Sequence, residues 1–351
     1  MTEIAVVILN WNTRQQLETF LPAILNHSSG EGVEVIVADN GSTDDSVAFM
    51  KEQYPRVRLI EFDRNYGFTG GYNKALAQVQ ARYYVLLNSD VEVTPNWLSP
   101  MKKCLDENPQ IAACMPKMKA WHNKSYFEYA GAAGGFIDKY GYPFCRGRIL
   151  DRVEADQGQY DESTSIFWAT GACMFIRSDI FHQNGGFDDA FFAHMEEIDL
   201  CWRIKNAGFS VHYIPESTVF HLGGGTLPND NPFKIYLNYR NNLFLLYKNL
   251  PEKKLIPVMF TRMVLDVISS FIFLLKGKTP HFLSVYKAHR DYWRALSRLK
   301  EKRRANPQYT SSYPADVYKK SILFSYFIRK KTVFSQMQQD ILPGEPLDTR
   351  Y

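Results

Sequence analysis

Ile4-Ala5-Val6-Val7-Ile8-Leu9 is an uninterrupted apolar run rich in β-branched residues, and it stops abruptly at Asn10-Trp11-Asn12. Beyond it, Leu17, Leu21 and Ile24 recur at helical spacing. The pattern predicts a strand buried on both faces that feeds a helix. The unit then repeats. Val33-Glu34-Val35-Ile36-Val37 ends in Ala38-Asp39-Asn40-Gly41-Ser42, after which Asp44 opens a helix reaching Met50 and Tyr54. Val57–Phe62 gives way to Asn65-Tyr66-Gly67-Phe68 and a helix expected from Gly71 to Val79, and Tyr83–Leu87 stops at Asn88-Ser89-Asp90. Four strand–loop–helix units in about ninety residues predict right-handed crossovers and a parallel sheet with helices on both faces. Ligands of such sheets bind outside the carboxyl ends of the strands, where these polar clusters fall.

Downstream the pattern changes. Residues 117–165 are short aromatic and Gly-rich pieces, read as strands and loops covering the site. Order resumes at Phe167–Ile176 and Gly185-Gly186-Phe187, then in a helix from Glu196 that Gly208 terminates, with Lys205 in its last turn. Val211–Ile214 and Thr218–His221 read as two further strands, followed by a Gly223-Gly224-Gly225 loop and a helix over Lys234–Asn249. Leu255–Leu275 is apolar and just long enough to cross a bilayer, but Arg262 and Asp266 lie four apart near its middle. Such a pair suits a solvated or interfacial helix and is costly in lipid. A span, a surface-lying amphipathic helix or hairpin, and a buried core helix all stay open. Arg290 to Arg304 sets a basic stripe on a helix with Tyr292, Trp293, Leu296 and Leu299, and Phe324 to Lys331 repeats the theme. The expected organisation is a catalytic domain over 1–230, with halves 1–116 and 117–230, a helical extension over 231–305, and a basic, aromatic tail over 306–351.

Composition narrows the class. The chain has 351 residues, of which 45% are apolar and 22% charged, which excludes both a disordered chain and a polytopic membrane protein. Cys104, Cys114, Cys145, Cys173 and Cys201 form no CxxC pair and are odd in number, so a reducing compartment is expected. No basic segment precedes the first apolar run, so no signal peptide is expected. Residues 1–230 carry 19 basic and 29 acidic side chains, whereas residues 231–351 carry 22 and 8. A basic block interleaved with Phe, Leu, Ile, Tyr and Trp points to an anionic membrane surface rather than to nucleic acid.

The polar clusters suggest chemistry. Asn10-Trp11-Asn12 stands where a dinucleotide fold needs G-x-G-x-x-G, and no Walker-type phosphate loop occurs, so NAD binding and P-loop chemistry are excluded. Gly67-Phe68-Thr69-Gly70-Gly71 either offers backbone N–H groups to phosphates or makes a tight turn. Either Asp39 or Ser42 caps the next helix, or the Asp39 carboxylate accepts a hydrogen bond from a base N–H or from ribose. Asp90 is either a turn residue or a ligand for a hard cation shared with a diphosphate. Glu196, Glu197 and Asp199 crowd one helical first turn, more acids than the helix dipole needs. Repulsion and aromatic neighbours raise a carboxylate pKa there and the helix N-terminus lowers it, a balance suited to a general base. Successive helical residues diverge by about 100°, so Glu197 faces away from Glu196, and Asp199 lies nearer Glu196. His221, at a strand end before glycines, is a ligand candidate beside Asp90.

Ile8-Leu9-Asn10-Trp11-Asn12, Asp39-Asn40-Gly41-Ser42-Thr43-Asp44, Asn65-Tyr66-Gly67-Phe68, Leu87-Asn88-Ser89-Asp90, Ala169-Thr170-Gly171-Ala172, Gly186-Phe187-Asp188, Glu196-Glu197-Ile198-Asp199-Leu200-Cys201-Trp202-Arg203 and His221-Leu222-Gly223-Gly224 occur in the order seen in family 2 glycosyltransferases. Over residues 4–250 the chain resembles the bacterial rhamnosyltransferase-like branch of that family. The resemblance implies a GT-A fold, a Rossmann-like α/β architecture with a mostly parallel sheet, here with a C-terminal helical extension of membrane-surface type. It also implies an inverting transferase that uses Mn2+ or Mg2+ and a nucleotide-sugar donor, dTDP-rhamnose or a UDP-sugar. The acceptor would be a hydroxyl of a lipid-linked or cell-surface glycan, such as one carried on polyprenyl diphosphate, at the cytoplasmic face of the membrane. By the same resemblance Leu9, Asn10, Asn12, Asp39, Asn40, Gly41, Arg64, Asn65, Gly67, Asn73, Asn88 and Ser89 would bind donor. Trp168, Thr170 and Gly171 would line the acceptor side, Asp90 and His221 would hold the metal, and Glu197, with Glu196 and Asp199, would be catalytic. Asn88 stands where the family has the first acid of D-x-D, and Glu197 stands where it has Asp. A non-catalytic nucleotide-sugar-binding or scaffold subunit stays open as the alternative. A nucleotidyltransferase would need a cation at the α-phosphate, offered only by Arg64.

Overall fold

The computed structural model describes residues 2–223, 230–305 and 313–341; Gly224 and Gly225 of the glycine loop, and residues 306–312 and 342–351 of the expected tail, lie outside them. The four apolar runs form β1 (Ile4–Asn10), β2 (Val33–Asp39), β3 (Arg58–Glu61) and β4 (Tyr83–Asn88), joined by α1 (Arg14–His27), α2 (Ser46–Gln53) and α3 (Gly67–Leu76). They lie parallel in the order β3-β2-β1-β4, as the four repeated units predict. Residues 5–8 are fully buried because helices cover both faces, and α1 seals one face with Leu17, Phe20, Leu21 and Ile24. Helix α3 begins four residues before the expected Gly71, because Gly67 takes φ +74° and the Asn65 side chain accepts its N–H at 2.7 Å.

The next elements are β5 (Val91–Val93), α4 (Leu98–Glu107), β6 (Ile111–Ala120), β7 (Gly135–Asp138), β8 (Pro143–Cys145), β9 (Arg148–Ile149), β10 (Arg152–Val153), β11 (Thr164–Ile166), β12 (Cys173–Arg177), α5 (Ser178–Gln183), α6 (Glu196–Asn206) and β13 (Ser210–His221). The main sheet continues past β4 through β12, β6, β13 and β11, with β5 added to β13, for nine strands. The two strands expected after Gly208 are one. β13 runs through, with its register shifted between Ile214 and Thr218, where Pro215 interrupts the ladder. All five cysteines are buried free thiols.

After β13 the described residues form α7 (Pro232–Asn249), α8 (Glu252–Leu275), α9 (Thr279–Ala305), β14 (Val317–Tyr318) and α10 (Ile322–Phe327). β14 pairs with β7 to complete a five-stranded sheet, and Tyr318, Ile322 and Phe334 are buried. Asp138 pins this segment by accepting the N–H of Ile322 at 2.9 Å, so residues 313–341 are built into the fold rather than trailing from it.

α8 overturns the solvated reading of its ion pair. Arg262 and Asp266 are joined at 2.7 Å but both are buried, facing Asn242 of α7, His289 of α9 and the Tyr142 ring. The basic stripe of α9 is likewise partly internal: Arg303 is buried on Glu252 and the Tyr247 carbonyl, and Lys302 binds Asp188.

Candidate active site

Register aligns the strand ends. Asn10 pairs with Asp39 and Leu9 with Asn88, so three of the sequence-predicted polar residues share one edge of the sheet. Asn10 donates to Asp39 Oδ2 at 2.8 Å and to Ser42 Oγ at 3.1 Å, and Asp39 Oδ1 accepts the Ser42 N–H at 2.8 Å. Asp39 therefore ties the β1 and β2 loops together and does not cap α2. Asn12, at φ +53°, accepts the Thr43 N–H at 2.7 Å, and Thr13 bridges Asn10 to Ser89. Asn40 donates to Asn65 Oδ1 and the Gly67 carbonyl and accepts the Tyr66 N–H, locking the second and third loops. Gly41 packs on the Arg64 backbone so closely that a Cβ would fall 2.4 Å from it; the Arg64 side chain itself is exposed and stacks over Tyr66. Asn73 faces elsewhere, bridging Phe187 and Asp189.

The phosphate reading of Gly67–Gly71 does not hold. The Gly67 N–H is taken by Asn65, and the N–H groups of Phe68 and Thr69 both donate to the Phe192 carbonyl, at 2.7 and 3.2 Å. A Cβ on Gly67 would fall 2.5 Å from the Phe192 ring, so this glycine serves close packing against the loop that carries the acids.

That loop is strained. Phe192, His194 and Met195 all adopt left-handed backbone, at φ +66°, +68° and +73°, each at a cost of about 1 kcal/mol or more. The strain is held from α7. Buried Asn241 donates its amide to the carbonyls of Phe191, Ala193 and His194 at 2.9, 2.8 and 2.7 Å, and Arg240 donates to those of Ala190 and Phe191. The loop delivers Glu196 and Glu197 to the first turn of α6 with one carboxylate oxygen of each buried and without a partner among the described residues. Burial, then the charge of Glu197, pushes Glu196 well above the usual carboxylate range, and burial pushes Glu197 up to about 7. Asp199 behaves differently. Its Oδ2 accepts from Arg203 and Lys248 at 2.9 Å and its Oδ1 from Asn249 at 2.8 Å. Both oxygens are occupied, so Asp199 is not a free base; despite burial, Lys248 and Arg203 hold it below the usual range.

Of the expected acceptor side, Gly171 meets the acids: a Cβ there would lie 4.0 Å from Glu197 Cβ. Its neighbour Ala172 accepts the Asn88 N–H at 3.0 Å, which links the Glu197 region to the end of β4. Trp168 and Thr170 are buried, Trp168 donating to the Phe136 carbonyl and Thr170 Oγ1 accepting the Ala172 N–H. Packing claims both.

Asp90 and His221 do come together. Val91 pairs with His221 across β5 and β13, which brings Asp90 Oδ1 to 3.1 Å from His221 Nε2. On the other side of the ring stands Glu128, its Oε1 3.4 Å from Nδ1. That contact lies off hydrogen-bond direction, leaving the buried Nδ1 without a hydrogen-bond partner among the described residues. Burial opposes a charged imidazole, but Asp90 and Glu128 raise His221 to about 10, and His221 in turn holds Asp90 below its usual range against the effect of burial. Among the described residues no three His, Cys, Asp or Glu side chains converge to form a complete metal cage. Asp90 Oδ1 and His221 Nε2 nonetheless make a buried, adjacent oxygen–nitrogen pair that fits Mn2+ or Mg2+ taking its remaining ligands from a diphosphate; Nδ1 points the other way, at Glu128. Sequence reasoning missed Glu128, which a bridge between Lys119 and Phe127 sets beside β6. It also missed Asn241, whose partners lie about fifty residues away.

The pattern of glycosyl transferase family 2 matches residues 5–184. The chain is 26% identical over 236 residues, 63% of its length and 76% of the relative's, to N-acetylglucosaminyl-diphospho-decaprenol L-rhamnosyltransferase of Mycobacterium tuberculosis. It is 25% identical over 200 residues, 54% of its length and 72% of the relative's, to rhamnosyltransferase WbbL of Escherichia coli K12. Among solved structures it superposes on the mannosyltransferase PcManGT from Pyrobaculum calidifontis, in complex with GDP-Man and Mn2+. The TM-score is 0.51 at 13% identity, with 84% of this chain and 75% of that one covered. It also matches GalNAc-T7, solved with UDP, GalNAc and Mn2+, at TM-score 0.55 and 15% identity over 71% of this chain, which spans about half the length of that one. Both neighbours have the GT-A fold expected from the order of motifs. The motif order, the sheet topology and the family match over half the chain agree: the chain belongs to glycosyl transferase family 2.

Proposed function

We propose that this glycosyltransferase moves a sugar, with inversion, from a nucleotide diphosphate to a hydroxyl of a lipid-linked or cell-surface glycan at the cytoplasmic face of a membrane. The names of the two rhamnosyltransferase relatives favour dTDP-rhamnose as donor over a UDP-sugar. Asn10, Asn12, Asp39 and Asn40 cradle the nucleoside on the loops they lock. Asp90 and His221 hold the cation, which when bound neutralises charge on the departing diphosphate.

The observation that carries the reading is the unpartnered carboxylate oxygen of Glu197, beside Gly171 and near the end of β4. A carboxylate with a pKa near 7 accepts a proton from an acceptor hydroxyl as its oxygen forms a bond to the anomeric carbon. The carbon–oxygen bond to the diphosphate breaks on the opposite side, and the proton stays on Glu197 until it returns to solvent. Burial and the Glu197 charge push Glu196 well above the usual carboxylate range, which favours its neutral form beside the base. Asp199 anchors α6.

The test is thermal-shift binding of a panel of nucleoside diphosphates and their sugars, with and without Mn2+. Metal-dependent stabilisation by one nucleotide class, lost in Asp90→Ala, is expected. No stabilisation by any of them would leave a scaffold subunit as the better reading.

A further inference from the structure

α8 is an inside-out helix. Its charged pair, Arg262 and Asp266, faces the protein together with Val258, Met259 and Ser270. The opposite face exposes Ile256, Phe260, Ile268, Phe271 and Leu275, at 80%, 69%, 52%, 53% and 88%. Nine of the twenty large apolar side chains exposed among the described residues lie on this one helix, so this is a patch and not scatter. Between Lys254 and Lys276 no charged residue reaches the exposed face, a strip of about 30 Å at helical rise. Exposed Lys253 and Lys254 bracket one end and Lys276 the other. At that second end Phe271 meets Phe282 of α9, with ring centroids 5.9 Å apart, and α9 goes on to expose Arg290, Arg294 and Arg298.

We infer that α8 lies in the plane of an anionic bilayer, its exposed face sunk to the acyl boundary and its flanking lysines at the phosphates. This deepens the membrane placement proposed above and rests on it. Charge selects the occupant: basic residues at both ends of an apolar strip match anionic headgroups and would repel the same ends of a second copy. The buried pair selects the orientation. Arg262 is bound to Asn242 of α7 at 2.5 Å and Asp266 to His289 of α9 at 3.2 Å, so one face of α8 is already committed to protein. A helix crossing the bilayer would carry these partners into lipid.

The full chain should float with vesicles of phosphatidylcholine containing phosphatidylglycerol and bind those of phosphatidylcholine alone about tenfold less. The double variant Phe260→Glu/Phe271→Glu should lose about tenfold or more of the binding to anionic vesicles while keeping the nucleotide thermal shift of the parent. Cysteines introduced at Lys254 and Lys276 should both react with an impermeant thiol reagent added outside the vesicles. Protection of one of the two would mean a span and overturn the in-plane reading. Unaltered flotation of the double variant would overturn it too, as would a parent that ignores vesicles and forms a dimer that the double variant breaks. Vesicle binding that behaves as expected alongside absent nucleotide stabilisation would count against the transferase reading alone.

Discussion

Replacing Glu197 with Gln removes one buried carboxylate and keeps its shape. Moving a carboxylate from its ordinary 4.5 to about 7 corresponds to about 3 kcal/mol of preference for the protonated form in the folded state. A raised folded pKa means that the folded chain holds the proton more tightly than the unfolded chain. The stability this contributes is full below about pH 4.5, declines as the pH rises, and is gone above about pH 7. Glutamine carries no such penalty, so at pH 8 the variant should be the more stable by up to about 3 kcal/mol, and the advantage should vanish by pH 4.5. At about 0.7 kcal/mol per degree for a chain of this length, that is about 4 °C in Tm. Transfer should fall by at least about a hundredfold, and parental kcat should drop about tenfold per pH unit below 7 as the base is protonated. The assay is Tm against pH for both proteins, beside kcat against pH for the parent. Parallel Tm curves would refute the burial argument, and near-parental turnover of the variant would refute the base.

Asn241→Leu takes from the carbonyls of Phe191, Ala193 and His194 the side-chain amide they share, so kcat should fall about tenfold or more while the nucleotide thermal shift is kept; an unchanged kcat would deny Asn241 its positioning role. Lys248→Met takes a cation from both Asp188 and Asp199 and should cost about 3 kcal/mol of stability in urea unfolding at pH 7. Asp90→Ala should abolish the Mn2+-dependent part of nucleotide stabilisation and leave any metal-independent part in place.

The parallel half of the sheet was legible because strands buried on both faces must be continuously apolar, and Ile4–Leu9 and Tyr83–Leu87 are. The polar clusters after them were legible for a related reason: a polar residue ending such a strand has no packing role, which singled out Asp39, Asn88 and Asp90. What stayed hidden depends on partners distant in the chain. Asn241 sits in the middle of helix α7 and Lys248 in its last turn, and nothing local says that one faces a strained loop and the other two carboxylates. Glu128 lies in a Gly-rich segment without periodicity. The spacing of Arg262 and Asp266 correctly paired them but was blind to which face of α8 meets protein. At Gly67 the glycine pattern suggested phosphate, whereas the close neighbour is Phe192.

The central claim is sugar transfer with Glu197 as base. The most direct test supplies a nucleotide sugar, Mn2+ and a polyprenyl-diphosphate-linked acceptor, and reads the anomeric configuration of the product by NMR in the parent and in Glu197→Gln. Transfer with inversion is expected in the parent, and at least about a hundredfold less of it in the variant. Retained configuration, or near-parental transfer after the substitution, would contradict Glu197 as the base of an inverting transfer.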